Sequence, residues 1–228
     1  MARKVKTEKT KKRKFGAVIL YILVVLLAVG VLGGTGYFVY KSLAKDEPKK
    51  KVVENVVLDS LDEYGYSLSD NDTDLFKGEY NILKDILNAD EINEKDFATQ
   101  VAKLFVIDLY TMTTKANKLD VGGSEYFYIT KVSMFEKKAM DTLYANLLDN
   151  TYGDRKQELP EVNGVEVVST EPMKYSVDGN VKDGYLVKLK WTYAVDMGYD
   201  TQGSVVLCKE DGIRMSVVDY QPTFSPKY

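Results

Sequence analysis

Histidine is absent from the 228 residues, and cysteine occurs once, at Cys208. The missing imidazoles exclude Ser-His-Asp catalysis and most zinc sites. A lone thiol forms no internal disulfide and has no second thiol for a redox pair. Within "SVVLCKE", Cys208 reads as a small buried apolar residue. No phosphate loop is present: "GGTG" at 33–36 lies inside an apolar run, and no Gly-Lys-Ser/Thr follows it. No metal and no cofactor is expected. Charge, too, is missing over one long stretch, residues 15–40, "FGAVILYILVVLLAVGVLGGTGYFVY".

As a helix, that stretch would be about 39 Å long, enough to cross a hydrocarbon core of about 30 Å with some tilt. Tyr37, Phe38 and Tyr40 stand at its far end, where aromatic rings favour the headgroup region. A transmembrane helix over 15–40 is the expectation. The alternative is a cleaved signal peptide, on the small-x-small triplet Ser42-Leu43-Ala44. The length of the apolar run and Lys41 favour a retained signal anchor. Gly30 and Gly34 form a GxxxG, a spacing that lets two membrane helices approach closely, so a homo-oligomer through this face is one reading. The other is that glycine is simply frequent in membrane helices.

Residues 1–14 hold eight Lys/Arg against one Glu, and residues 41–51 hold five Lys diluted by Asp46 and Glu47. The heavier cluster is expected to stay cytoplasmic, with everything after the helix extracytoplasmic at the cell membrane. Beyond residue 14 the chain carries 23 basic and 33 acidic residues, a net of −10. Such an acidic ectodomain argues against nucleic acid as a partner, which leaves membrane lipid around one helix and an envelope protein.

The ectodomain reads as helices followed by strands. A tether over 41–52 leads to a Val- and Tyr-rich strand or strand pair ending near Leu68. "DNDTD" at 70–74 fails the EF-hand pattern, with Leu75 where Gly is needed and Asn81 where Glu is needed. It is better explained as a helix start. Asn93 is the cap of a helix expected over 94–116, with Phe97, Val101, Leu104, Phe105 and Met112 on one stripe. Asp108 falls in the middle of that stripe, where a carboxylate needs partners. "NKLDVGGSEYF" at 117–127 turns the chain, and a third helix is expected over 131–148. From 165 onward the period changes to two. Tyr185, Val187, Leu189, Trp191, Tyr193 and Val195 share one face, and Asp211-Gly212 marks a tight hairpin. The resulting fold class is α+β, with helices covering one face of a curved antiparallel sheet of about four strands.

That order of elements resembles the NTF2-like superfamily. "YGYSLSDNDTDLF", "LFVIDLYTMTTKANKLDVGGSEYF" and "YGDRKQELPEV" are similar to an uncharacterised family of single-pass envelope proteins of low-GC Gram-positive bacteria. The architecture is more distantly similar to conjugation and type IV secretion scaffold proteins. The resemblance implies a cytoplasmic tail (1–14), the membrane helix (15–40), the tether, an N-terminal strand/helix part (53–89), an NTF2-like domain (90–222) and a short tail (223–228). It implies no activity.

Three functions follow as expectations. The first is a non-catalytic, membrane-anchored interaction or scaffold domain of the bacterial envelope, with no catalytic residue. The second is a small-molecule-binding or enzymatic domain with Asp108, Trp191 and Tyr193 around a pocket, as the resemblance to NTF2-like enzymes implies. The third is a component of a conjugation or secretion apparatus. Gly122 and Gly123 are expected to be a structural turn whose amides fold back onto Asp108.

Overall fold

Residue 52 and residues 55–223 are described by the computed structural model. The basic tail, the charge-free run with Gly30 and Gly34, nearly all of the tether and the last five residues lie outside them. Among the described residues, no helix is long and apolar enough to cross a membrane.

The chain enters a two-stranded antiparallel hairpin, β1 (Val57–Leu61) and β2 (Tyr66–Ser69). Tyr66 and Leu68 alternate inward from β2, which ties this ribbon to the core. Helix α1 (Asp74–Leu87) starts on Thr73, whose hydroxyl accepts the Phe76 amide, so "DNDTD" does act as a helix start. Helix α2 (Glu94–Tyr110) starts on Asn93, whose side chain accepts the Lys95 and Asp96 amides. Phe97, Val101, Leu104 and Phe105 are buried, and so are Ala98, Ala102, Val106 and Ile107 on the other sides. A helix buried nearly all round is a central helix, sandwiched here between α1 and a sheet. The Gln100 amide group donates to the Glu79 backbone carbonyl and carboxylate, joining α2 to α1 across position 90.

Helix α2 stops at Tyr110, six residues before the sequence pattern ends. Thr111 leaves helical geometry (φ −91°, ψ 89°), and the Met112 amide bonds to the Pro160 carbonyl instead. A continuous helix would carry Lys115 about 10 Å along the axis from Asp108. The break lets Lys115 double back and pair with it. Arg155 holds the resulting loop by donating to the carbonyls of Met112, Thr113, Lys115 and Leu148. After a 3-10 turn (Ser124–Tyr126), helix α3 (Val132–Asp141) is also shorter than its pattern. Irregular turns after Thr142 carry the Tyr144 hydroxyl to the Leu109 carbonyl.

Four strands follow as an antiparallel meander: β3 (Val162–Val177), β4 (Asn180–Tyr193), β5 (Gln202–Glu210) and β6 (Arg214–Gln221), paired in sequence order. The Asp178-Gly179 and Asp211-Gly212 turns both have two successive positive φ values, the geometry that closes two-residue hairpins. Val187, Leu189 and Trp191 of β4 face α2, and Lys190 and Thr192 face outward, as the period of two requires. Cys208 is fully buried on the opposite face, against Tyr128, Val177, Val206 and Val218. The domain is therefore α+β, with helices on a four-stranded antiparallel sheet.

Candidate functional site

Asp108 sits where α2 meets the Gly122–Gly123 turn. One carboxylate oxygen, Oδ1, pairs with the Lys115 ammonium. The other, Oδ2, accepts the Gly123 amide at 2.6 Å. The fold-back anticipated from sequence is therefore present, and the lysine adds a second partner that sequence reading placed inside a helix. The Gly122 amide is donated to the Tyr144 hydroxyl at 3.1 Å, which in turn donates to the Leu109 carbonyl at 2.7 Å. Burial opposes the Lys115 charge, but Asp108, Tyr144 and Asp120 outweigh it and raise its pKa. The ammonium therefore stays charged, and a buried charge keeps its partner in place.

The two glycines serve different needs. Gly123 has φ +80°, and a Cβ there would lie 2.7 Å from the Phe105 ring. Gly122 is required for close approach, since a Cβ would lie 2.0 Å from the Asp108 carbonyl oxygen.

A polar cavity of about 260 Å³ opens beside this clamp. Asp72, Asp108, Asp120 and Glu125 line it with Lys115, Ser67 and Asn71. Most of these groups already serve the local fold. Asp72 accepts the Ser69 amide, Asp120 accepts the Ala116 amide, and the Asn71 side chain donates to the Thr114 carbonyl. Among the described residues, no group of three or more His, Cys, Asp or Glu is arranged to hold a metal ion.

Glu125 has the most perturbed carboxyl here. Burial, then the Asp108 charge, push its pKa up to about 7, against the hydroxyl of Ser67, which donates to it at 2.9 Å. Asp72 shares the cavity, and burial raises its pKa as well. The folded state thus takes up a proton that the unfolded chain, with an ordinary glutamate, has lost. The resulting stabilisation is complete below about pH 4.5 and disappears as pH rises to about 7, a change of about 3 kcal/mol. Glu125→Gln should match the wild type near pH 4.5 and exceed its stability by about 3 kcal/mol at pH 8. Denaturant unfolding at the two pH values checks this, and equal pH dependence in both proteins would contradict it.

Trp191 and Tyr193, the other pocket candidates, are not beside Asp108. Trp191 is 2% exposed, with its ring against Tyr110 (centroids 5.0 Å apart). Its indole N–H donates to the Tyr193 hydroxyl at 2.9 Å, which donates to the Asp200 carbonyl at 2.6 Å. Tyr110 lies two positions after Asp108 and so points about 200° round the helix, into this second group. Its hydroxyl donates to Asp200 Oδ2 at 3.0 Å and shares a 2.8 Å bond with the Tyr220 hydroxyl. Neither Trp191 nor Tyr193 lines a larger groove of about 580 Å³ that opens next to Tyr110, between α3 and the end of β6. Tyr220 falls after the Asp211-Gly212 hairpin, in the part of the chain read with a period of two, but no local signal joins it to Asp200 or Tyr110. No protein-family model matches the chain, nor does any curated protein or solved structure.

Proposed function

We propose that the protein is a non-catalytic, membrane-anchored binding domain working on the extracytoplasmic side of a Gram-positive cell envelope. The observation that carries the non-catalytic part is that both carboxylate oxygens of Asp108 are engaged. With Lys115 on one oxygen and the Gly123 amide on the other, its carboxylate is built into the turn rather than presented to a substrate. The charge-free sequence at 15–40 and the basic residues before it support the anchor and its orientation. The helix-covered meander, with bulges in β3 and between β5 and β6 of the kind that bend a sheet, supports an NTF2-like architecture. The cavity beside α3, which Asp108 does not line, supports binding of a ligand.

Labelling of intact cells with a membrane-impermeant reagent tests the placement. A C-terminal tag on the full chain should react before lysis as completely as after it, and an impermeant cross-linker should trap a discrete adduct. A tag that reacts only after lysis would contradict the orientation. A chain that stays monomeric at every cross-linker dose would contradict a protein partner.

A further inference from the structure

We infer that the groove between α3 and β6 is a binding site for a small, ring-bearing carboxylate. Helix α3 leans on the 3-10 turn rather than on the sheet, and the space left between it and the end of β6 is the groove. Its volume, about 580 Å³, is in the range of small-molecule sites. It is not the space between α2 and the sheet, which is filled by Phe105, Leu189, Leu207 and Val217.

The walls indicate an aromatic ligand. Phe127 and Phe135 stack with centroids 4.0 Å apart, and Tyr110 and Tyr220 line the same groove. An aromatic lining favours a flat ring, which can stack or meet ring edges. Met134, 72% exposed at the mouth, supplies an adaptable apolar side chain.

Charge selects the head group. The groove contains two acids and two lysines, so net charge alone does not decide it. Each acid is engaged through one oxygen by neutral donors: Asp200 Oδ2 accepts the Tyr110 hydroxyl, and Asp219 Oδ1 accepts the Tyr220 amide and the Gln221 side chain. The lysines, Lys131 and Lys138, lie seven residues apart on the same side of α3. Among the described residues, neither has a carboxylate within ion-pair distance, and Lys131 lies over the Tyr175 ring at 5.1 Å. An anion completes this arrangement and a cation does not.

This inference rests on the non-catalytic reading, and one titration separates the two. The full chain in lipid nanodiscs is titrated calorimetrically with 2-naphthoate, 2-naphthamide and 2-naphthylmethylammonium, against empty nanodiscs. The carboxylate should bind at least tenfold tighter than the amide, and the ammonium more weakly still. Replacing both Lys131 and Lys138 by Gln should erase the preference. Thr142→Trp, at an exposed position on the groove wall, should abolish binding, and Met134→Glu should weaken the carboxylate selectively. No saturable binding, an ammonium that binds as well as the carboxylate, or binding that survives Thr142→Trp with an unchanged melting temperature would overturn the site. Recovery of the naphthoate unchanged supports the non-catalytic reading. Its conversion would contradict that reading while supporting the groove.

Discussion

Gly122→Ala is expected to destabilise the domain by about 4 kcal/mol, a large fraction of the stability of an ordinary domain. The new methyl group would stand 2.0 Å from the Asp108 carbonyl oxygen and 2.6 Å from its carbon. Those are helix backbone atoms, so no side-chain rotation relieves the overlap. Moving the turn outward instead stretches the Gly123–Asp108 and Gly122–Tyr144 bonds. Gly123→Ala meets a softer obstacle, the Phe105 ring at 2.7 Å, plus the strain of a positive φ, and should cost about 2–3 kcal/mol. Gly78→Ala provides the contrast. It lies inside α1 with nothing within 4 Å of a new Cβ, so it should stabilise by about 0.5–1 kcal/mol. Denaturant unfolding of the three variants checks the order, and a neutral Gly122→Ala would show that the turn does not need close approach.

Breaking the Asp108–Lys115 pair from either side has the second largest expected effect. Lys115→Met leaves a mostly buried carboxylate with only the Gly123 amide, and Asp108→Ala leaves a buried ammonium with none of its former acceptor. Each should cost about 3 kcal/mol, because an uncompensated buried charge is more costly than the intact pair is favourable. Changing both, Asp108→Ala with Lys115→Met, should cost clearly less than the two single losses added together. Additive losses would mean that the two side chains stabilise the fold independently.

The regular elements were the most legible part of the sequence. Thr73 and Asn93 begin helices because their side chains accept early amides, and both signals are local. The alternation of Val187, Leu189 and Trp191 fixed which face of β4 is buried. Asp108 announced itself as a carboxylate inside an apolar stripe, and the adjacent glycine pair indicated where its amide donor comes from. Lys115 was hidden by the same periodicity that revealed the helix, since apolar Met112 extends the pattern past the true end at Tyr110. What ends the helix is tertiary: Pro160 takes the Met112 amide, and Arg155 gathers the loop carbonyls. The pocket candidates were mis-grouped for a related reason. Asp108 and Trp191 both read as core-facing, but a central helix has a core on more than one side. Asp108 therefore meets the glycine turn, while Trp191 meets Tyr110. The groove beside α3 left no periodic trace, because Lys131, Met134 and Lys138 read as an ordinary solvated face.

Asp108 is a structural anchor for the glycine turn, and backbone hydrogen exchange tests that role most directly. In the intact chain the Gly122 and Gly123 amides should both exchange slowly, one held by Tyr144 and the other by Asp108. In Asp108→Ala, Gly123 should lose most of its protection while Gly122 in the same molecule keeps more of its own. Exchange at Gly123 as slow in Asp108→Ala as in the wild type would contradict the anchor and return Asp108 to the list of free carboxylates.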